Sequence, residues 1–329
     1  MKRAVIHSTG SYAPERKLSN QYFNDLLKED VGTWLVENLT IRERHWCDES
    51  ESTADLCLQA ANQAMRHGNI SASDLDLIIV ATDTPEYISP STASVVQHRL
   101  GADSAGAFDI NAACAGFVIG LDMAGKYILA DDRYRHILVI GAYAMSKYLD
   151  MTDKKTVTLF ADGAGAVILK SSEDKQRGFL ASELVSSGQY HDWMGIYAGG
   201  TSMPVSEAVL DRKDHLLKFV RKFPKEINPE TWTRMILSLA ERLKIAPQDV
   251  DHFFFTQINI NSINQTLDNI GVAHSKAHNI MDRFAYTGSA CIPMAFDDAV
   301  QQGQIGSGKL IFFIGSGGGL AFASAAFRY

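Results

Sequence analysis

The chain has 329 residues, 46% hydrophobic and 21% charged, the composition of an ordinary globular protein with room for two domains or one large one. A net charge of −7 and a pI of about 5.8 exclude a general nucleic-acid footprint, though not a local basic groove for a phosphorylated ligand. Cys47, Cys57, Cys114 and Cys291 lie far apart without a CxxC pair, which argues against zinc and a disulfide framework and for a reducing compartment.

Met1–His7 is too short an apolar run for a signal peptide and leads into fold-like sequence, so a cytoplasmic protein without a membrane anchor is expected. Ala4–Ile6 predicts a strand and Gly10–Pro14 a turn. Ser19–Lys28 predicts a helix capped by Ser19, and Val31–Thr40 carries Trp34. The charged run Ile41–Trp46, taken alone, is a solvated edge. Thr53–His67 is an amphipathic helix with Leu56, Ala60, Ala64 and Met65 on one face and Ser52 or Thr53 as its cap. Asp74–Thr82 reads as a strand buried on both faces, followed by a loop from Asp83 to Pro90 and a helix over Ser91–Leu100.

The stretch Phe108–Ala124 is the organising element. A short strand, Gly106–Ile110, turns through Asn111–Ala113 into a helix with Phe117, Leu121 and Ala124 on one face. Cys114 sits where the helix starts, where the dipole and unpaired N–H groups favour a thiolate. The small residues Ala112, Ala113, Ala115 and Gly116 leave room for a substrate. The same pattern also fits a buried structural cysteine.

Downstream, His136–Ile140 predicts a buried strand, and Phe160–Ala166 a glycine-rich turn that is no Rossmann fingerprint, since no GxGxxG precedes a helix. Tyr190–Pro204 reads as a loop, and Asp214–Arg221 and Thr231–Leu243 as helices. The apolar tail Leu310–Phe327, interrupted by four glycines, is a buried strand–turn–strand rather than a membrane helix.

The pattern occurs twice. Ser71–Ala81 and Ile245–Phe255 each carry Asp-x-Asp before a buried strand. Ala112-Ala-Cys114 has an echo in Ser289-Ala-Cys291, and His136–Gly141 in Lys309–Gly315. Three matches in the same order predict two similar βα halves, 1–175 and 176–329, sharing one core.

A duplicated α/β chain with a cysteine opening a helix in its first half resembles the thiolase fold, which implies a five-layered α-β-α-β-α core. Asp109–Phe117, Phe160–Ala166, Ile41–Arg44 and Gly317–Ala325 resemble, in order, motifs of the β-ketoacyl-acyl-carrier-protein synthase III family. The resemblance spans the whole chain. It implies an acyl-enzyme on Cys114, loaded from an acyl-coenzyme A or acyl-carrier-protein thioester, with no cofactor and no metal. It also implies an oxyanion hole made by the N–H groups of Cys114 and Gly318.

The family's other two site residues are replaced. The His-Gln-Ala-Asn motif stands here as Thr256-Gln257-Ile258-Asn259, and Tyr286 takes the place of the asparagine that precedes Thr287. Thr256 and Tyr286 have hydroxyls to donate, but neither is a base near neutral pH. His191 and His252 are the histidines nearest by sequence, and each reads more simply as a surface or strand-end residue.

The resemblance assigns Trp34 to stacking on adenine, though a core aromatic fits the sequence as well. The arginines expected in the phosphate groove are Asn38, Asn261 and Lys154 here. Ser89 stands where a bulky residue usually closes the acyl pocket across the dimer, which implies a deeper pocket and a longer acyl chain. Three readings follow. The first is an acyltransferase passing its acyl group to a carbon, oxygen or nitrogen nucleophile, in fatty-acid or secondary-metabolite synthesis. The second is a decarboxylating condensation served by Thr256 and Tyr286. The third is the non-catalytic half of a heterodimer with a related synthase. The resemblance otherwise implies a homodimer.

Overall fold

The computed structural model describes residues 2–329. In the first half, β1 (Arg3–Tyr12) is followed by β2 (Lys17–Ser19), α1 (Asn20–Leu27), α2 (Gly32–Leu39) and β3 (Glu43–His45), which pairs with β2. Then come α3 (Thr53–Gly68), β4 (Leu77–Ala81), α4 (Thr92–Leu100), β5 (Gly106–Ile110), α5 (Gly116–Ala130), β6 (His136–Ala144), the one-turn α6 (Lys154–Val157) and β7 (Asp162–Ser172). After the link 173–177 the second half runs through β8 (Gly178–Ser186), β9 (Met194–Gly195), α7 (Glu207–Asp211), β10 (Lys218–Phe219), α8 (Ile227–Leu243), β11 (His252–Phe255), α9 (Ile260–Asn269), α10 (Met281–Phe284), α11 (Cys291–Gln301), β12 (Leu310–Gly317) and β13 (Ala321–Arg328).

The internal repeat is visible in the topology. The first sheet has the order β1-β7-β6-β4-β5 and the second β8-β13-β12-β11. In both, the first strand of the half pairs antiparallel with the last, and the strand buried after Asp-x-Asp runs parallel to its neighbour. A parallel bridge from Phe253 to Ala277 marks where a counterpart of β5 would lie.

Alternation along the strands builds the layers. Leu77, Ile79 and Ala81 of β4 face a central core, and Ile78 and Val80 face an outer one covered by α3 and α4. In the second half Phe254 and Phe313 face the central core, while Phe253, Phe255 and Phe312 face an outer core under α8 and α9. Helices α5 and α11 fill the space between the sheets, completing the α-β-α-β-α stack of the thiolase fold. The stretch Ala113–Ala130 is apolar and long enough to cross a membrane, but 61% of it is buried as the central helix of this stack.

Several elements depart from expectation. Strand β1 runs on through Gly10 to Tyr12, paired with Ala166, Gly165 and Ala164 of β7, and Gly10 lies so close to α3 that a Cβ would sit 2.4 Å from the Ala64 N. The glycine-rich stretch 162–166 is not a turn but part of β7. A Cβ at Gly165 would lie 2.6 Å from the Pro293 Cβ and 2.7 Å from the Met294 N, so the glycines let α11 rest on the strand. Residues 214–221 form a turn and β10, not a helix. The charged run 41–46 is not a solvated edge either. Arg44 is fully buried over the Phe23 ring, donating to the Asn20 Oδ1 at 2.8 Å and the Thr158 carbonyl at 2.6 Å. Helix α3 starts as expected, with a reciprocal box between Ser52 and Asp55.

Gly165→Ala should destabilise the protein by about 1–3 kcal/mol, the usual cost of overpacking. Urea unfolding measures this, and an unchanged midpoint would mean that α11 yields without strain.

Candidate active site

The carboxyl ends of the central strands converge on the turn that follows β5. Cys114 is the middle residue of a single 3-10 turn, Ala113–Ala115, leading into α5. Ala113 is left-handed, with φ of 44°, as is Gly288, φ 48°, which opens the matching turn Gly288–Ala290 before α11. The structural counterpart of Cys114 is therefore Ser289, two residues from the Cys291 echo read in the sequence. The Ser289 hydroxyl donates to the Ala113 carbonyl at 3.0 Å, tying the two turns together.

The end of β12 closes over the first turn. A Cβ at Gly317 would lie 2.4 Å from the Ala112 carbonyl oxygen and 2.7 Å from the Cys114 N, so only glycine permits this approach. Gly318 follows, and its Cβ position is 3.9 Å from the Ala113 Cβ. The chain thus carries Gly318 to the backbone of the cysteine turn.

Tyr286 and Thr256 have different roles in the structure. Tyr286 is buried beside Cys114, where its hydroxyl favours the thiolate and the thiol in turn helps keep the phenol protonated. Its backbone is fixed by the Leu159 carbonyl and the Ala161 N–H, and its ring packs on Phe160 and Tyr143. The Thr256 hydroxyl is committed to β12: it donates to the Ser316 carbonyl at 3.2 Å and accepts from the Ser316 N–H at 2.9 Å. That double bond to one residue makes Thr256 a clamp on the strand that carries Gly317, rather than a free donor.

The expected thiolate is also corrected. Burial drives the Cys114 thiol well above its usual range, the charge of Asp83 adds to this, and the Tyr286 hydroxyl offsets only part. Desolvation outweighs the helix start, so the resting group is a thiol. Burial likewise raises the Tyr143 and Tyr286 phenols, and Cys291 rises to about 12.

The motif around Thr256 is mostly structural. Gln257 is fully buried, donating to the His278 carbonyl and accepting from the Ile280 N–H, both at 2.9 Å, and its own N–H points at the Cys291 Sγ at 3.4 Å. It holds the segment leading to Tyr286 and is not open to a substrate. Asn259 caps α9 through the Asn261 N–H. The Asn261 side chain donates to the Asn38 carbonyl at 2.9 Å, tying α9 to α2.

Trp34 projects from α2 with 54% of its surface exposed, so it is not a core residue. Lys154 forms an exposed ion pair with Glu29 at 2.8 Å. Ser89 is exposed beside Tyr87 and Ile88, the latter 82% exposed. His191 is exposed at the end of a 3-10 turn, in contrast to the buried cysteine. Among the described residues no group of three or more His, Cys, Asp or Glu is placed to hold a metal ion.

Sequence reasoning missed Asp83. It follows β4, and its Oδ1 is shut off from solvent with no hydrogen-bond partner. Its carboxyl is pushed up to about 6 by burial. The one signal available was its place directly after the carboxyl end of a buried parallel strand, where sites in α/β folds collect.

The comparisons with known proteins agree with this geometry. The family model for 3-oxoacyl-[acyl-carrier-protein (ACP)] synthase III matches residues 108–188, and the model for its C-terminal part matches 239–329. The β-ketoacyl-[acyl-carrier-protein] synthase III of Natranaerobius thermophilus is 33% identical over 335 residues, covering 100% of both chains. The chain belongs to the β-ketoacyl-acyl-carrier-protein synthase III family. The synthase III of Syntrophomonas wolfei is 35% identical over 331 residues, covering 99% of this chain and 98% of that one. The crystal structure of the Aquifex aeolicus synthase III superimposes with a TM-score of 0.88 at 30% identity, covering 99% of this chain and 100% of that one. Membership in the synthase III family makes the chain a transferase of the condensing-enzyme type that acts on thioesters.

Alkylation of Cys114 by iodoacetamide, followed by intact mass, should keep accelerating as pH rises through about 9, because only the thiolate reacts and its fraction still grows there. A plateau below neutrality would show that the turn stabilises the thiolate after all.

Proposed function

We propose that this synthase III relative is an acyltransferase that takes an acyl group onto Cys114 and passes it to an acceptor without decarboxylation. The observation that carries this reading is the pairing of an intact cysteine turn, clamped by Gly317, with a Thr256 hydroxyl bonded to both the N–H and the carbonyl of Ser316.

In the first half-reaction the Cys114 sulfur attacks the thioester carbonyl. The new Sγ–C bond forms, the donor's C–S bond breaks, and the proton lost by the thiol leaves with the departing thiol. The N–H groups of Cys114 and Gly318 are the donors for the oxyanion, and the Tyr286 hydroxyl stabilises the sulfur charge as it develops. Charge therefore appears on the sulfur only when a substrate is in place.

A decarboxylating condensation needs donors for an enolate, and losing one such donor typically costs about a hundred- to a thousandfold. With Thr256 committed to β12, Tyr286 is the only one of the replaced pair with its hydroxyl directed at the site. The donor thioester binds across α2 and α9, with Trp34 stacking on the adenine of a coenzyme A donor. Lys154 contributes little while Glu29 holds it. A homodimer places Ser89 against the acyl chain, and the acyl group serves fatty-acid or secondary-metabolite synthesis.

Intact mass after incubation with acyl-coenzyme A thioesters from short to long should give an adduct on Cys114, and Cys114→Ala should give none. Tyr286→Phe should slow loading about tenfold or more while leaving the adduct site unchanged, the loss expected for one hydrogen bond to a charged group. Release of carbon dioxide from a malonyl thioester would support condensation instead. No adduct from any coenzyme A or carrier-protein thioester would point to the silent half of a heterodimer. Trp34→Ala should raise KM for a coenzyme A donor several-fold with kcat little changed, as expected for binding shared by ground and transition states.

A further inference from the structure

Asp83 is the group that the synthase III motifs leave unexplained. Its neighbours brace it. The Thr82 N–H donates to the Ile110 carbonyl at 3.1 Å, fixing the loop to the end of β5 just before the cysteine turn. The Thr84 hydroxyl accepts from the Ala144 N–H at 2.9 Å, next to Tyr143 at the end of β6. The Thr84 N–H donates to the Thr82 hydroxyl at 3.0 Å, and the Thr53 hydroxyl at the start of α3 donates to the Thr84 carbonyl. The residue on each side of Asp83 is thus buried, bonded and fixed to a different core element.

Of the half-buried Asp83 carboxylate, Oδ1 is shut off from solvent and has no partner. A buried oxygen without a partner is costly, and the large majority of such groups in folded proteins are paired. The groups that interact with it electrostatically are Cys114 from the turn after β5, Tyr143 from β6 and Tyr148 from the turn after β6. Glu86, in the same loop, is already occupied by the Ala54 N–H at 2.9 Å. No cation is among the groups that shift Asp83, and only its own backbone N–H favours the charged form. No hydrogen bond joins Asp83 to the thiol, and the side chain that favours its thiolate is Tyr286. Asp83 thus keeps a free oxygen in the electrostatic neighbourhood of Cys114 without a bond to it.

We propose that Asp83 is the general base of the second half-reaction, taking the proton of a hydroxyl or amine acceptor as that acceptor attacks the acyl group on Cys114. This rests on the acyl-enzyme reading above and narrows it to a protic acceptor. The acceptor's O–H or N–H proton passes to the Asp83 carboxylate, the O–C or N–C bond forms, and the C–Sγ bond breaks. Cys114 leaves as thiolate and recovers the proton from Asp83, so both groups are reset. A malonyl unit needs no base, because loss of carbon dioxide creates its carbanion, and its own carboxylate would be repelled by Asp83. Burial keeps the base unpaired and its pKa near 6, a value suited to proton transfer around neutrality.

Water is the simplest protic probe. The acyl-Cys114 adduct, made from the coenzyme A thioester that loads best and then desalted, is followed by intact mass as it hydrolyses. The wild-type rate should climb with pH through about 6 and level off, as for a base that must be deprotonated. Asp83→Asn should load, hydrolyse about a hundredfold more slowly and lose that limb, whereas Asp83→Glu should keep it. Asp83→Asn should also raise the melting temperature at pH 8, with the gain vanishing near pH 4. The wild-type carboxyl binds its proton more tightly when folded, so its penalty builds as pH rises from the unfolded value of 3.8 to the folded value of about 6 and is full above that. Hydrolysis of the Asp83→Asn adduct at the wild-type rate with the same limb would overturn the assignment. So would a folded Asp83→Asn protein that fails to load, since Asp83 would then act on the thiol. Failure of the wild type to load from any thioester would instead remove the acyl-enzyme reading on which the assignment rests.

Discussion

The contact of Gly317 with the backbone around Cys114 is the constraint on which the rest of the structure depends. It is where the second half's sheet meets the first half's cysteine turn, at a distance that leaves no room for a side chain. The Thr256 hydroxyl holds β12 there from one side, and the bond from Ser289 to Ala113 holds the second half's turn from the other. Loosening this seam would open the central core that both sheets share and expose the cysteine to water. Fold stability and the dryness of the site therefore rest on the same few atoms.

Dryness sets the electrostatics. Four acids around the turn are pushed toward their neutral forms by burial: the Cys114 thiol, the Tyr143 and Tyr286 phenols, and the Asp83 carboxyl. The ordering is informative. Asp83, raised only to about 6, ionises near neutrality, while the thiol and the phenols hold their protons. A site with one ionised carboxylate and several neutral donors has one group able to accept a proton and several able to donate hydrogen bonds. That division of labour differs from a site built around a histidine.

The architecture was legible in the sequence because it is written twice. The Asp-x-Asp strands, the cysteine turn and the glycine-ended strands recur in one order, and burial on both faces of β4 follows from its unbroken run of apolar residues. What the sequence concealed were long-range substitutions of one partner for another. Arg44 sits in a run of charges, yet it is buried because Phe23, Asn20 and the Thr158 carbonyl, from three other segments, receive it. The glycines after Asp162 look like a turn until Pro293 and Met294 supply the helix that needs the space. The Cys291 echo is two residues off register, which the backbone angles of Ala113 and Gly288 reveal and residue identity does not.

The site was half legible for the same reason. Cys114 and Tyr286 are adjacent in space as their motif positions imply, because both sit on turns that the fold repeats. Gln257, Asn259 and Asn261 proved to be structural once their partners were visible. A buried amide bonded to two backbone groups leaves nothing for a substrate, while the helix cap and the bridge between helices each engage one end of their side-chain amide. Asp83 carried no motif, since an acid in a loop is ordinarily solvated. Its significance comes from what is missing around it: an unpaired oxygen in a segment whose flanking threonines are fully bonded. Folding accepts the cost of that unpaired oxygen, and a chain that has replaced the usual histidine still needs somewhere for a proton to go. The two facts fit one another, because the oxygen left without a partner follows the carboxyl end of β4, at the same sheet edge as the cysteine turn after β5.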